Sequence, residues 1–564
     1  MIYAHRHRLY AIFWPWDYEP FICEADIETC NGSKAVSQGQ TVRLTLFPRP
    51  VETSRRSNRS SSASKMAYKN ILNPNDWVFL FVDPLDGERS IPLFLGFIDS
   101  IFPAKKISPD GTISQRVQIT CSGWEKAIQN VSAITSPFVH GNINVASLLA
   151  LGPFGWMNEG RTTRRTAYAL PGVGAGVGAD ISIGSGNVGL YTMELPYLIE
   201  TLVALFLRND SSEGLDPSQF SDSIRRAASV DNDEDITPLF NGQFELPGTN
   251  KPLWDFIRMR FQNIQQRTYV DPRMFLNGTT RSLASLIDSL SNPLLNEIFY
   301  DVRRTDEDGL SSMDNQLVGE VTGGYSSENM RNFISFAREA NEQFGEIVEN
   351  VAPYMVFRER PLASHEIIAL DGPTMDEREF ISIDLGKSDS DLHNLVSLEI
   401  PGIQMQLIRA QTGFMGFTDD RTRSLESIRR HGLRFYSDQA SAWPMTVRGV
   451  NIEAPIPSPE LLEVWERRMT QAGLDNPYIY SGSVVIPKYI RGLNIGSKLI
   501  IQHQTDVGVE VEEGDRVYYV DGYDWNFTGA NGSFVKSIHL SRGYPTEVSG
   551  GSSSHISQTS RWGV

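Results

Sequence analysis

Residues 184–189 form the spacing in this chain that most resembles a cofactor site, because they match the glycine fingerprint of dinucleotide-binding proteins. Asp210, about twenty positions later, stands where that fingerprint places an acidic residue for a ribose. A dinucleotide-binding fold also needs repeated strand–helix–strand units, and the sequence around this run does not predict them. Glycine is dense upstream as well, between Gly172 and Gly178. We therefore interpret residues 184–189 as a glycine-rich loop without a cofactor.

A second group has the side chains of a calcium site. Asp231, Asp233 and Asp235 have the opening spacing of a calcium-binding loop. However, Ile236 stands where that loop needs a glycine, and Gly242 stands where it needs a glutamate. We interpret residues 231–235 as a solvated acidic loop.

Histidine and cysteine are too sparse to predict a metal or disulfide site. His5 and His7 have no neighbouring histidine or cysteine to complete a zinc site, and Cys23, Cys30 and Cys121 are an odd number without framework spacing. Cys121 alternates with apolar residues, which indicates a core position. The chain has neither a Gly-x-Ser-x-Gly elbow nor a phosphate loop. We therefore predict no catalytic, cofactor-binding or metal-binding residues, no cofactor, and a protein that is not an enzyme.

Composition narrows the class of protein further. The 564 residues carry a formal charge of −17, and their number favours roughly two to four domains. No apolar run approaches the roughly 18 residues of a membrane span, and no signal peptide is predicted. The acidity argues against a surface that holds nucleic acid through its phosphates, but permits DNA to slide past a repulsive wall. Whether the acidic groups line a channel or lie on outer loops stays open.

Short strands dominate the beginning of the chain. Alternating or apolar runs bounded by turn residues predict strands at residues 21–28, 41–47, 77–82, 93–102 and 116–121. Such a set is typical of a small antiparallel barrel or sandwich. The Arg/Ser tract at residues 54–62 is interpreted as a solvated hairpin loop.

The middle and the end of the chain differ in pattern. Helices are predicted in the middle at residues 196–207, 251–267, 281–290 and 330–344. Two strands at 394–400 and 404–410 and a helix at 460–471 follow. The closing strands are predicted at residues 481–487, 497–503, 516–521 and 533–540. The two strand-rich ends share a layout of polar turn, strand, glycine-containing strand, hairpin and alternating strand, which indicates a repeated unit.

Three ordered segments resemble bacteriophage baseplate and tail hub proteins, the tail-tube initiators of long-tailed phages. The first runs from Trp77 to Ala127, the second comprises residues 295–303 and 353–361, and the third begins at His431-Gly432-Leu433-Arg434 and ends at Ser541-Arg542-Gly543. The resemblance implies a mixed β fold with α+β insertions, in which two tail-tube-like antiparallel β-barrel domains flank a helical or irregular central region.

The implied domains follow from this layout. The first barrel occupies residues 1–141 with a flexible Arg/Ser loop at 52–66, and an α+β insertion region occupies 142–390. The second barrel occupies residues 391–547 with a helical insertion near 415–475, and residues 548–564 form a flexible Gly/Ser-rich tail.

The resemblance also implies partners and a place of action. We expect a homotrimer that joins the sixfold tail tube to a threefold spike or central fibre in the virion, after assembly in the host cytoplasm. The expected partners are the tail tube protein, the spike or central fibre, the tape-measure protein and baseplate wedge or distal tail proteins. Genomic DNA is expected only in transit through the lumen, and stable membrane insertion is not expected. Two alternatives stay open: a hub fused to a peptidoglycan-degrading activity in the centre, and a receptor- or carbohydrate-binding tail protein.

Overall fold

A computed structural model gives the fold of most of both ends and of parts of the centre. It describes residues 7–55, 64–83, 90–107, 113–130, 257–262, 281–291, 296–304, 351–388, 392–399, 425–439, 479–490, 492–502 and 515–546, together with short segments between 132 and 270 and between 443 and 457. No helix among these residues is long and apolar enough to cross a membrane.

The N-terminal end contains nine strands and two short helices. The strands are β1 (Arg8–Trp14), β2 (Phe21–Cys23), β3 (Ile27–Ala35), β4 (Thr41–Leu46), β5 (Pro50–Thr53), β6 (Ser64–Ala67), β7 (Trp77–Asp83), β8 (Ile91–Ile107) and β9 (Ile113–Gly123). Helix α1 (Tyr68–Ile71) precedes β7, and helix α2 (Lys126–Asn130) follows β9. Four of the five strands predicted for this end are confirmed, with β8 and β9 longer than expected. The fifth, predicted at residues 21–28, is divided by a turn at residues 24–26 into β2 and the start of β3.

The described parts of the centre are mainly strands. They are β10 (Ser132–Ala133), β11 (Val139–His140), β12 (Ile143–Asn144), β13 (Thr166–Tyr168), β14 (Ile181–Ile183), β15 (Gly186–Val188), β16 (Leu190–Glu194), β17 (Arg258–Gln262), β18 (Arg267–Val270), β19 (Arg281–Ser282), β20 (Asn296–Arg304), β21 (Val351–Glu359), β22 (Thr374–Asp376), β23 (Ser382–Ser388), β24 (Leu395–Glu399), β25 (Phe435–Gln439), β26 (Trp443–Thr446) and β27 (Ile456–Pro457). Helices α3 (Leu283–Ser291), α4 (Ser364–Ile368) and α5 (Leu425–His431) and a 3-10 helix (Glu377–Glu379) lie among them.

The C-terminal end closes with four strands, all of which were predicted. They are β28 (Ile479–Ile486), β29 (Lys498–Gln502), β30 (Arg516–Thr528) and β31 (Ser533–Pro545). Strands β30 and β31 form the longest hairpin of this end, with register shifts at two points along it.

Both ends of the chain belong to one sheet of thirteen strands. Its main path runs in the order β2-β1-β7-β8-β9-β4-β3-β30-β31-β28-β23, and β29 pairs with β30 on one side and with β22 on the other. Every pairing in it is antiparallel except that of β22 with β29. The two separate barrels predicted from the sequence are therefore not seen as such, because strands of both halves join in a continuous sheet.

The direct junction between the halves is the pairing of β3 with β30, which we call the seam. It runs from Thr29 opposite Thr528 to Ala35 opposite Gly522. One hydrophobic core spans it, with Cys30 and Leu44 from the N-terminal half and Trp525 and Ile538 from the C-terminal half. Since nearly the whole chain separates the two strands in sequence, the seam is a contact of very high sequence separation.

A three-stranded sheet from the centre packs against the same core. Strand β21 pairs antiparallel with β20 and parallel with β17. Phe299 on β20 and Val356 on β21 belong to the core that spans the seam. The central region thus completes the packing of the two ends.

Three predictions for the centre can be compared with the structure. The helix at 281–290 is confirmed as α3. The helix at 251–267 is wrong over 258–262, which form β17, because Met259 and Phe261 alternate with polar residues and pair with β21. A helical centre is also not seen, since strands outnumber helices among its described residues, and the helical insertion near 415–475 contains α5 beside β25, β26 and β27.

Of the remaining predictions for the centre and the end, one is confirmed and the others fall on residues that the structure does not describe. The strand at 394–400 is confirmed as β24, which pairs parallel with β25. The helices at 196–207, 330–344 and 460–471, the strand at 404–410 and the C-terminal tail lie outside the described residues.

Candidate functional site

The face of the sheet that points away from the core carries mostly small polar side chains over seven neighbouring strands. In β4, Val42 and Leu44 are buried, whereas Thr41 and Arg43 are exposed on the opposite face. This is the period of two that a pleated strand with one buried face requires. By contrast, β7 is buried on both faces, so the polar face begins at β9.

Register places these polar residues opposite one another in rows that cross the strands. The first row contains Thr120, Arg43, Asn31, Asn526 and Val535. The second contains Thr41, Ser33, Asp524, Ser537, Val485 and Ser382, and the third contains Gln118, Thr45, Thr29, Thr528 and Ser533. Hydroxyl and amide groups dominate all three rows, and the Ser33 and Thr41 hydroxyls lie 2.9 Å apart. We call this surface the hydroxyl face.

The hydroxyl face is concave where β9, β4, β3, β30 and β31 meet. Side chains and backbone of these five strands line one cavity of about 410 Å³, at the level of the first two rows. Because five neighbouring strands of a flat sheet would not border one common space, the sheet curves around this open cavity. The seam forms its floor, since Asn31, Ser33, Asp524 and Asn526 all line it.

Charges at or beside the hydroxyl face are largely paired. His539 Nε2 lies 2.8 Å from Asp524 Oδ2. Arg116 pairs with Glu28. Arg43, at the cavity, makes no ion pair within the described part of the chain.

Beside strands β8 and β9, a cation and a carboxylate are again paired. Lys126 Nζ lies 2.7 Å from Asp99 Oδ1, and the Ser122 hydroxyl donates to the other oxygen of that carboxylate. Over its described residues, the face therefore carries cations and carboxylates in similar number and no cluster of either sign. It offers many hydrogen-bonding groups but little fixed charge.

The sheet ends at β23 without a further strand among the described residues. Strand β23 pairs with β28 over seven residues. Ile383 and Leu385 pack against the core but stay half-buried, and Ile381, just before the strand, is 47% exposed. An edge of this kind has unpaired backbone groups and an incomplete apolar layer, and it can accept another strand.

The structure describes only some of the residues singled out in the sequence. Within residues 184–189, Gly186 to Val188 form β15, which pairs antiparallel with β14. A strand therefore follows the first glycine, where a dinucleotide site needs the start of a helix. The acidic residues 231–235 and His5 lie outside the described residues, and His7 is buried beside Tyr489 and Phe534.

The cysteines are core residues. Cys23, Cys30 and Cys121 are free and buried. Burial raises the pKa of Cys23 to about 12 and raises the pKa values of Cys30 and Cys121 as well. Thiols with raised pKa values carry little thiolate and are poor nucleophiles. The core position predicted for Cys121 is confirmed. Over the described residues, no three His, Cys, Asp or Glu side chains converge as metal ligands.

Sequence reasoning missed the hydroxyl face. Alternation of serine with apolar residues was visible in residues 533–540, but the rows appear only when β3 and β30 are placed side by side. The residues of one row come from both ends of the chain, so no local pattern contains them.

Comparison with known proteins gives similarity to phage tail proteins at the level of structure. No family model matches the chain, and no curated protein matches it. A tail protein from Neisseria meningitidis is similar with a TM-score of 0.37 at 7% identity, covering 94% of this chain and 96% of that one. A 43 kDa tail protein of a Shewanella oneidensis prophage has a TM-score of 0.35 at 8% identity, covering 96% and 100%.

A third similar structure comes from E. coli. It is a component of the type VI secretion system described as similar to phage T4 tail proteins, with a TM-score of 0.31 at 8% identity, covering 93% of this chain and 74% of that one. Phage tail proteins, the group that the order of the sequence motifs resembles, are thus among the structures to which this chain is similar. Because these TM-scores are low, the function is argued below from the described residues.

Proposed function

We propose that this chain is a structural protein of a phage tail, the trimeric central hub of the baseplate or tip. In this role it joins the sixfold tail tube to the threefold spike or central fibre and forms part of the DNA-ejection channel. The observation that carries the proposal is the hydroxyl face: three rows of small polar side chains, opposed across strands from both ends of the chain, on a surface that curls around a cavity.

The chemistry of the hydroxyl face suits a wall past which a charged polymer moves. Hydroxyl and amide groups keep the surface hydrated. DNA adheres to proteins mainly through several Lys or Arg contacts to its phosphates. On the hydroxyl face, Arg43 makes no ion pair with a described residue, and Arg116 is paired with Glu28. Phosphates therefore find few sites to bind. This composition favours a charge-balanced wall over the carboxylate-lined channel that the sequence left open.

Trimer formation is supported by the open edge at β23 and by the repeated layout of the two ends. Three chains that each supply two similar strand-rich halves present six units around an axis, which matches a sixfold tube. The half-buried Ile383 and Leu385 would be covered if a strand of a neighbouring chain paired with β23.

The proposed partners follow from this position in the particle. They are the tail tube protein on one side, the spike or central fibre on the other, the tape-measure protein within, and baseplate wedge or distal tail proteins around the ring. Genomic DNA passes through the lumen during ejection. The protein acts in the virion and has no catalytic step of its own.

Sedimentation of the purified chain tests the assembly state. We expect a species of three times the 63.1 kDa of one chain at micromolar concentration. A stable monomer under these conditions would contradict the ring.

Two further measurements separate this role from the alternatives. Clearing of a peptidoglycan zymogram by the purified chain would show a hydrolase and contradict a purely structural protein. Immunogold at distal fibres, with none on the tail axis, would show a receptor-binding protein instead of a hub.

A further inference from the structure

The seam is covered on its core side by the paired strands β20 and β21, which contact both halves of the chain through buried polar groups. Glu297 and Asp301 lie four residues apart in β20 and therefore on one face of the strand, about 13 Å apart. Asp301 contacts the N-terminal half of the chain, and Glu297 contacts the C-terminal half. Both carboxylates are buried.

On the N-terminal side, Asp301 is held by β3 and by the turn after β9. Its carboxylate pairs with the Lys34 ammonium of β3 and with Arg303. The Trp124 indole donates from Nε1 to the Asp301 carbonyl at 3.2 Å and meets the Tyr300 ring edge to face. The backbone N–H of Ser37, just past β3, donates to the Ile298 carbonyl at 3.0 Å.

On the C-terminal side, Glu297 and its cross-strand partner Arg358 form a second buried contact. Arg358 Nε lies 2.6 Å from Glu297 Oε1, which also accepts the Tyr519 hydroxyl of β30 at 2.6 Å. Arg358 Nη2 donates to the Gly496 carbonyl at 2.5 Å. The paired strands β20 and β21 therefore bridge β3 and β30, the two strands of the seam.

Two buried ionisable side chains on the core side of the seam, Lys536 and Glu125, lack a full set of charged or hydrogen-bonding partners. We call these two side chains and their surroundings the layer beneath the seam. Lys536 of β31 is 0% exposed, donates to the Leu493 carbonyl at 2.5 Å and lies 3.8 Å above the Tyr523 ring. No carboxylate forms an ion pair with it among the described residues. Glu125 is buried and accepts the Gln40 N–H on one oxygen, while its other oxygen has no hydrogen-bond partner among the described residues. Buried charge without a full set of partners destabilises the fold around it.

Burial is the largest cause of the pKa shifts of Lys536 and Glu125. It lowers the pKa of Lys536 to about 7, and nearby Lys34 lowers it further while Asp301 opposes the shift. Burial also raises the pKa of Glu125 to about 7, against the lowering effect of its backbone hydrogen bonds and of Lys34. Other ionisable groups that face these two side chains are Arg303, Tyr300, Tyr523 and Tyr489.

The β7–β8 part of the sheet has no comparable pair of buried charges among its described residues. Strands β7 and β8 pair over buried apolar residues, among them Val78, Leu80, Leu93 and Phe94. Regions of a protein open locally with different free energies. A buried charge without a full set of partners lowers the free energy needed to open the region around it.

We propose that the seam opens more readily than the β7–β8 pair of the same sheet, and that the paired strands β20 and β21 are the latch that keeps it closed. Opening separates β3 from β30 and so splits the floor of the cavity between the two halves of the chain. The proposal concerns this chain alone and does not depend on the tail assembly.

Native-state hydrogen exchange on the full chain near neutral pH tests the proposal. We expect the amides of β3 and β30 to exchange faster than those of β7 and β8. Lys536→Met removes the buried ammonium and keeps the bulk of the side chain. It is expected to slow exchange at the seam at least about tenfold while β7 and β8 stay unchanged. Lys488→Met is the matched control, because Lys488 is partly exposed and pairs with Glu379 away from the seam.

Two results would overturn the proposal: equal protection of the seam and of β7–β8 in the unaltered protein, or unchanged or faster exchange at the seam in Lys536→Met. If Lys536→Met does not fold, Glu125→Gln decides, with slower seam exchange supporting the proposal and equal or faster exchange refuting it.

The latch is tested separately with Asp301→Asn, which should speed exchange at the seam. Unchanged exchange in that variant would refute the latch.

Discussion

Gly32 of β3 lies directly opposite Trp525 of β30, and the indole covers the space where a side chain would stand. A Cβ added to Gly32 would come within 2.7 Å of Trp525 Nε1. Trp525 is 2% exposed and belongs to the core that spans the two halves of the chain. The missing side chain at position 32 therefore lets a large aromatic ring lie flat over the seam.

Gly32→Ala is expected to destabilise the protein by about 1–3 kcal/mol, because the new methyl group must displace a buried ring. Urea unfolding followed by tryptophan fluorescence measures the change. Gly386→Ala in β23 is the control, since no atom lies within 4 Å of an added Cβ there. Equal midpoints for the two variants would show that the ring does not need the space.

Arg358→Met should cost about 3–5 kcal/mol, because it leaves Glu297 buried without its cation. The double variant Glu297→Gln/Arg358→Met should lose less, since no buried charge then remains unpaired. Denaturant unfolding of the two single variants and the double variant gives the coupling free energy. Additive losses would contradict a coupled pair.

The pH dependence of stability should show two opposed contributions from the layer beneath the seam. The pKa of Glu125 is raised from 4.5 to about 7, so the unfolded state releases its proton first and stability falls as pH rises between these values. The pKa of Lys536 is lowered from 10.5 to about 7, so the folded state loses its proton first as pH rises, and stability falls as pH drops between these values. Their summed contribution is therefore smallest near pH 7.

Unfolding midpoints at about pH 5, 7 and 9 check this expectation. Glu125→Gln should remove the dependence on the acid side, and Lys536→Met should remove the one on the alkaline side. Asp301 acts in the opposite sense to Glu125: its pKa is lowered to about 2 by Lys34 and Arg303, so its contribution is lost as pH falls below 3.8. A variant whose pH profile matches that of the unaltered protein would contradict the assignment of that group.

Ile381→Lys is expected to weaken self-association while leaving the stability of the single chain within about 0.5 kcal/mol, because the side chain is half-exposed at the open edge. Sedimentation over a range of concentrations measures the change. Phe102→Lys is the control, as Phe102 is 60% exposed but lies away from β23. Loss of the trimer in both variants, or in neither, would show that the β23 edge is not the interface.

Strands with one buried face could be predicted from the sequence, because their pattern is local. In β9, Val117, Ile119 and Cys121 alternate with polar residues and are buried as expected. In β31, Phe534, Ile538 and Leu540 follow the same period, whereas the first five residues of β30 are buried on both faces. The sequence predicts a helix over β17, because this strand is short and only Met259 and Phe261 alternate with polar residues in it. Its pairing with β21 identifies it as a strand.

The joining of the two ends could not be predicted, because it depends on contacts between residues about 490 positions apart, such as Asn31 and Asn526. Similar layouts at the two ends favoured two barrels, and nothing local indicates that β3 pairs with β30. The buried charges were missed for the same reason. Lys34 follows Cys30 and Gly32 at every second position of β3, on the face that points to the core. From the sequence, a lysine at this position indicates that the buried face has ended. In the structure Lys34 is buried and pairs with Asp301, which comes from the centre of the chain.

Cryo-electron microscopy of the intact particle, with this chain carrying a site-specific label, tests the central claim most directly. The tail-hub account predicts three labelled copies around the tail axis, at the level where the sixfold tube meets the threefold spike or fibre. Labels on distal fibres, a number of copies that is not a multiple of three, or particles without the chain would contradict it.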